Sequence, residues 1–318
     1  MKKFKMEPCD GGVVMQYLNG KRYYTMAQYC RERFGDRIVK IPLSSGLSCP
    51  NRDGVKGTGG CTFCSAGTQT AQAPLPLSVQ YQAGLTAANK WQHAKPVAYF
   101  QNFSNTYAPI ERVEALLHEA VALQPAGIRL ATRADCIDRD MAELLAYFAK
   151  KTVLELELGL QTAHDATAQA VNRGYTFEEF CLGFSLLKQH GIYVCVHLIN
   201  GLPHETQEMM VTSAQKLAAL RPDGVKLHML HVIAGTPLGE IYRQHAFALL
   251  SQQEYVAVVC NQLRYLHPSA VIERLTGDGD KKTLLAPLWT GNKRHVLNAI
   301  DGTLAHQNIR QGDLWGDK

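Results

Sequence analysis

Cys49-Pro50-Asn51-Arg52-Asp53-Gly54, followed four residues later by Gly59-Gly60-Cys61-Thr62-Phe63-Cys64, is the stretch on which the reading of this chain turns. Its cysteines are spaced C-x11-C-x2-C. Three such thiolates can each take one iron of a [4Fe–4S] cube and leave the fourth iron open to another ligand. Gly54, Gly57, Gly59 and Gly60 let the backbone wrap a bulky inorganic group and turn N–H groups toward it. Two other readings stay open on spacing alone. A tetrahedral zinc site wants four ligands, yet no fourth partner stands at finger spacing, and the nearest downstream histidine, His93, lies beyond a helix-like stretch. Three buried free thiols would need no partner at all.

Around this loop, short apolar or β-branched runs alternate with amphipathic stretches. Strands are expected at 38–41, 96–101, 127–131, 152–159, 192–199 and 223–228, with helices at 78–92, 110–123, 138–150, 177–190 and 205–220. Val113, Leu116, Leu117, Ala120 and Val121 recur at helical spacing. Strands separated by helices imply a parallel sheet, either open and doubly wound or closed toward a (β/α) barrel. No G-x-G-x-x-G follows the first strand, so a dinucleotide fold has little support. The first strand runs instead into the cysteine-bearing loop at 42–76, a length that points to function. Residues 1–37 read as an N-terminal extension with one helix at 25–34, residues 38–250 as the barrel, and 251–318 as a C-terminal extension with a helix at 253–266 and a strand at 271–274.

The bulk composition narrows the class. The chain has 318 residues, 46% hydrophobic and 19% charged, with a net charge of +5. No apolar run approaches the roughly eighteen residues of a membrane helix. No signal-peptide core follows Met1, so a cytoplasmic location is expected. Nine cysteines, an odd number of which three crowd together, do not form a disulfide framework.

Several segments taken in order carry a family resemblance: the cysteine loop; Tyr99-Phe100-Gln101-Asn102 with Asn105-Thr106-Tyr107; Thr132-Arg133-Ala134-Asp135-Cys136; Leu156-Glu157-Leu158-Gly159-Leu160-Gln161-Thr162; Val171-Asn172-Arg173-Gly174; His197-Leu198-Ile199-Asn200-Gly201-Leu202-Pro203; Lys226-Leu227-His228; and Leu284-Leu285-Ala286-Pro287-Leu288-Trp289. Over roughly residues 30–290 the chain resembles the YhcC/YtqA-type radical S-adenosylmethionine (SAM) proteins, within the wider group of the Elongator protein Elp3 and coproporphyrinogen dehydrogenase. The resemblance implies a partial (β/α)6 barrel with N- and C-terminal extensions. It also implies a [4Fe–4S] cluster on Cys49, Cys61 and Cys64, with SAM across the strand ends. Gln161 and Arg173 match SAM-binding positions, Arg173 pairing with the SAM carboxylate. Phe63 would shield the cluster and pack near the adenine. The chain departs from the group's pattern at Gln101-Asn102, where the SAM amino group is usually met, at Ala131, where a ribose-binding acid is common, and at His197, which becomes the ribose candidate.

Barrel logic places strand-end residues at the substrate. Tyr107, Arg133, Asp135 and Cys136 are the catalytic candidates, Cys136 as a hydrogen-atom donor or nucleophile and Arg133 with Asp135 alternatively as an ion pair. Glu157, His197, His228 and His231 are further strand-end candidates. No second C-x2-C pair exists for an auxiliary cluster. The resemblance makes a tRNA wobble uridine side chain the leading substrate. Lys281-Lys282, Lys293-Arg294-His295 and Arg310 stand ready for phosphates, and a flavodoxin or ferredoxin would be the reductant. The alternatives are a small metabolite or porphyrin-like substrate, or a non-enzymatic iron–sulfur sensor of redox state or iron supply.

Overall fold

Seven strands form one parallel sheet: β1 (Ile38–Leu43), β2 (Lys95–Phe100), β3 (Gly127–Thr132), β4 (Leu154–Gln161), β5 (Tyr193–Asn200), β6 (Gly224–Met229) and β7 (Val271–Arg274). The computed structural model describes residues 7–9, 12–14, 17–64, 74–91, 93–244, 247–277, 279 and 281–316. Part of the long loop, 65–73, lies outside the described residues, as do Asp278, Asp280 and the side chain of Cys9. Spatial order equals chain order, and every neighbouring pair is parallel. Right-handed crossovers in an unreversed order put all the helices on one face. The sheet therefore curls into a half-barrel rather than the two-faced sheet of a doubly wound fold. The seventh strand adds to the six expected: Val271–Arg274, read from sequence as part of the C-terminal extension, pairs with β6.

Alternation along the strands explains what the lumen is made of. On β4, Leu154, Leu156, Leu158 and Leu160 face the helices in the main core, while Glu155, Glu157, Gly159 and Gln161 take the opposite face. The same alternation puts Arg129 on β3, His197 on β5, and Lys226 and His228 on β6 toward the lumen, whereas Ile128, Leu130, Val194, Val196, Val225 and Leu227 join the core. Continuous apolar runs, the usual mark of a parallel strand covered on both faces, are absent here because one face lines a polar cavity.

Helices α1 (Met26–Phe34), α2 (Leu77–Ala88), α3 (Ile110–Ala122), α4 (Arg139–Ala149), α5 (Asp165–Ala170), α6 (Phe177–Gln189), α7 (Gln207–Ala219), α8 (Pro237–Arg243), α9 (Gln252–Tyr265) and α10 (Lys293–His306) complete the described chain with short accessory elements. On α3, Val113, Leu116, Leu117 and Ala120 are buried, as their spacing predicts. Each fully buried leucine contributes about 1.5–3 kcal/mol. Reciprocal caps start α6 (Thr176 with Glu179) and α9 (Ser251 with Glu254). Helix α1 seals the bottom of the half-barrel. Its Tyr29 donates to Glu155 and packs at 5.2 Å on Tyr193. The β7 edge is covered as well, by a bridge from Thr25 to Ile272 and by Gln311, which ties Tyr24 N to the carbonyls of His267 and Ala270.

Candidate active site

The cysteine loop leaves the C-terminal end of β1 and is held from three directions. Ser104 N donates to Ser48 O, Thr62 N donates to Val171 O, and Leu238 N donates to Thr62 O. Asn172 Nδ2 donates to Gly60 O at 2.8 Å. Inside the loop, fully buried Asn51 gives its amide to Asn172 O and stands 3.7 Å from Cys61 Sγ. Gly57 and Gly174 permit this, since a Cβ on either would meet Asn51 Oδ1 at 2.4 or 2.8 Å. Burial, then the neighbouring Cys64 and Cys49, pushes the Cys61 thiol up to about 11. All three cysteines line one cavity of about 600 Å³.

The donor set tests which group fits. Among the described residues, no three His, Cys, Asp or Glu side chains converge on a single ion, as a mononuclear zinc site requires. Three thiols around a shared cavity suit a cube that carries its irons at separate corners. Opposite them, Gln161 has a left-handed backbone (φ 62) at a register shift in β4, and its buried Oε1 has no partner. Such a conformation costs on the order of 1–3 kcal/mol in a non-glycine residue. Gly159 makes the room, since a Cβ there would lie 2.2 Å from Gln161 Nε2. A strained residue presenting an unpaired acceptor to the cavity is shaped to receive a donor such as an ammonium group.

Arg173 does otherwise than the carboxylate pairing expected of it. Its guanidinium is fully buried, donating to the carbonyls of Leu160, Thr162 and Tyr175 at 2.5–2.9 Å, with Asp165 at 3.4 Å. It therefore ties the end of β4 to the turn that clamps the cysteine loop. Arg133 pairs with Asp135 through two bonds, 2.9 and 2.8 Å, and donates to Arg173 O. Phe63, Gln101, Asn102 and His197 all line the cavity, Phe63 also packing beside Val171, Leu202 and Leu238.

Below this level lies an ion-pair network. Glu157 Oε1 accepts from Lys40 at 3.0 Å and Arg129 at 3.1 Å; Oε2 accepts from Lys226 at 2.5 Å and Tyr99 at 2.7 Å, with His197 Nε2 at 3.2 Å. Burial alone would raise the Glu157 carboxyl, but Lys226, His197 and Lys40 outweigh it and hold it well below the carboxylate range. Arg129 also binds Glu155 and takes Glu273 at 2.5 and 2.9 Å. Against burial, Arg129 and Lys226 lower the Glu273 carboxyl to about 2. Sequence reading gave a role to Glu157 and His197 among these; Tyr99 and Lys226 stood only within the family segments, and Lys40, Arg129, Glu155 and Glu273 went unremarked. Their signal was a charged residue at alternate positions of otherwise apolar strands.

With this geometry in place, comparison with known proteins is decisive. The family model for the radical SAM superfamily matches residues 52–217, and that for the radical SAM C-terminal domain matches 222–306. The chain belongs to the radical SAM superfamily. It is 41% identical over 300 residues to the uncharacterized protein YtqA of Bacillus subtilis, covering 93% of both chains. It is 32% identical to protein YhcC of Escherichia coli, covering 89% of this chain and 92% of that one. An archaeal Elp3 structure from Methanocaldococcus infernus superposes with a TM-score of 0.63 over 86% of this chain and 64% of that one, at 16% identity, and so shares the fold. The cofactors of this superfamily are a [4Fe–4S] cluster and SAM.

The remaining expected residues of the radical SAM site fall outside the cavity wall. Tyr107, Asp135 and Cys136 are not among the residues lining it. Asp135 binds Lys56 at 3.0 Å in addition to Arg133. Burial, then Asp135, pushes the Cys136 thiol up to about 12, so it stays protonated at neutral pH and is a poor nucleophile. A positioning residue to which sequence reading gave no role is Asn105. Its amide donates to the carbonyls of Phe100, Asn102 and Ala131, and its Oδ1 accepts from Ser45 at 2.6 Å, joining the ends of β1, β2 and β3. The basic residues expected together are split. Lys293 stands close enough to cavity-lining His231 to lower its pKa, and exposed Arg294 and His295 follow it at the start of α10. Arg310 lies beyond the opposite end of that helix. No helix among the described residues is long and apolar enough to cross a membrane.

Proposed function

We propose that Cys49, Cys61 and Cys64 hold the [4Fe–4S] cluster of this radical SAM protein, that SAM lies against Gln161 and Phe63, and that the substrate is the side chain of a tRNA wobble uridine. The observation that carries the cofactor assignment is the meeting of three thiols and an unpartnered, strained glutamine in one cavity. One-electron cleavage of SAM to a 5′-deoxyadenosyl radical, which abstracts a hydrogen atom, is the chemistry these cofactors supply when bound. The chain's own contribution is positional. Asn51 and Arg133 lower the cost of charge on Cys61, Phe63 offers an apolar wall, and Arg173 locks the clamp under the loop. Gln101 and Asn102 add neutral amides at the end of β2, suited to the polar atoms of SAM.

The tRNA assignment rests on the likeness to Elp3 and on exposed Lys281, Lys282, Arg294 and His295 in the chain segments that follow β7 and open α10. Anaerobically reconstituted protein, reduced in the presence of SAM, should form 5′-deoxyadenosine; no product overturns the enzymatic reading and returns the loop to a sensor. Mass spectrometry of tRNA nucleosides from cells with and without the protein tests the substrate. Identical wobble-uridine profiles would remove tRNA.

A further inference from the structure

Among the described residues, six cationic side chains line the cavity, Lys40, Arg52, Arg133, Arg173, Lys226 and Arg274, against a single acid, Glu157. Arg133 and Arg173 are spent on Asp135 and on backbone carbonyls. The two lysines at the floor are not. Each ammonium carries three N–H donors, and each gives one hydrogen bond, to Glu157: Lys40 at 3.0 Å, Lys226 at 2.5 Å. Glu157 has no capacity left, since it also accepts from Tyr99 and Arg129. Lys226 is only 5% exposed, and buried ammonium donors without acceptors are costly. Beside them, the buried Nε2 of His228 has no partner, and burial, then His197, keeps this imidazole neutral. The deeper acids, Glu155 and Glu273, do not reach the cavity wall. Negative charge is thus sorted below the floor and positive charge onto it.

We propose that Lys40, Lys226 and His228 form a carboxylate subsite for the substrate at the floor of the lumen. Two ammonium groups with spare donors and a neutral imidazole match the two oxygens of a singly charged carboxylate. A phosphate dianion would bring a second charge that the floor does not offset, and a backbone phosphodiester sits inside a polymer too bulky for the closed end of a half-barrel. The titration below keeps SAM saturating, so the carboxylate it reads is not that of SAM. Lys226 is in register with His197 and Gly159, and Gln161, beyond the register shift, pairs one residue further along β5 with Leu198, a step of about 3.3 Å along a strand. The inference rests on this cavity being the reacting site and adds the feature by which a substrate is held there.

The test is a titration of reconstituted, SAM-saturated protein with ¹³C-labelled acetate, followed by its NMR line width without turnover. Saturable broadening that inorganic phosphate at equal concentration does not displace is the expected result. Lys40→Gln and Lys226→Gln should each weaken acetate binding about tenfold, the loss of one charge-assisted bond. No saturable broadening in the wild type, equal displacement by phosphate, or unaltered binding in folded variants overturns the subsite; if neither variant folds, the wild-type titration decides. Because no reaction is read, failure of the 5′-deoxyadenosine or tRNA assay leaves this result standing, and the reverse also holds.

Discussion

The two ends of the lumen are built from different materials. At the mouth, loops and strand ends present neutral amides, thiols and carbonyls, several of them unsatisfied: Asn51 Oδ1, Ser104 Oγ and Gln161 Oε1 are buried without partners. At the floor, mid-strand side chains form a dense set of ion pairs centred on Glu157 and Arg129. Unsatisfied groups carry a free-energy cost that a ligand can remove, so the mouth is poised for binding. Paired charges hold one another rigidly, so the floor sets shape and field. Where the network meets the cavity, at Lys40, Lys226 and the unpartnered His228 Nε2, the two designs overlap.

Breaking the mouth should abolish function while sparing the fold. Cys61→Ala is expected to lose cluster absorbance and 5′-deoxyadenosine formation completely, with thermal unfolding close to wild type; a variant that keeps both would remove the loop from catalysis. Breaking the floor should do the reverse. Arg129→Met leaves Glu155, Glu157 and Glu273 short of their shared cation, and should cost about 3–5 kcal/mol in denaturant unfolding, as loss of one partner of a buried ion pair does. Gly159→Ala sharpens the boundary between the two: the new Cβ would drive Gln161 from its position, so SAM affinity should fall about tenfold, on the order of 1.4 kcal/mol, and equilibrium dialysis reads it.

Acid should find the cavity lining before the floor. Burial, then Lys293, lowers the His231 pKa to about 4 from the usual 6.5. A histidine held neutral stabilises the fold above its unfolded pKa, and that contribution fades as pH falls from about 6.5 toward 4. Glu273, lowered to about 2, contributes above the carboxylate's unfolded pKa of 4.5 and is lost as pH falls from there toward 2. Denaturation midpoints against pH should therefore decline in two steps, and His231→Gln should shrink the upper one, to which His197 and His228 also contribute. The smallest effect belongs to the surface: Lys281→Ala should change stability by less than about 0.5 kcal/mol, yet lower the salt dependence of tRNA binding by about one unit of slope if Lys281 meets a phosphate.

Local chemistry made the mouth legible before any coordinates. Cysteine spacing, glycine content and the alternation of strand and helix all speak within a few residues, so the cysteine loop and the parallel α/β sheet could be read from the chain. Asn105, Arg173 and the floor could not. Their partners lie far off in sequence: Lys40 and Glu157 are 117 residues apart, Arg129 and Glu273 are 144. A charge at alternate strand positions says that one face is polar, but not which opposite charge it will meet. The same limit let Arg173 be read as a carboxylate ligand, since its type and position were right while the carbonyls that saturate it converge only on folding. The sequence by itself determined the family, the strands and the three thiols, because those signals are periodic or contiguous. The curl of the sheet alone decided which charges share the lumen, because ion pairing depends on distance across space and the half-barrel brings β1, β4 and β6 together around one carboxylate.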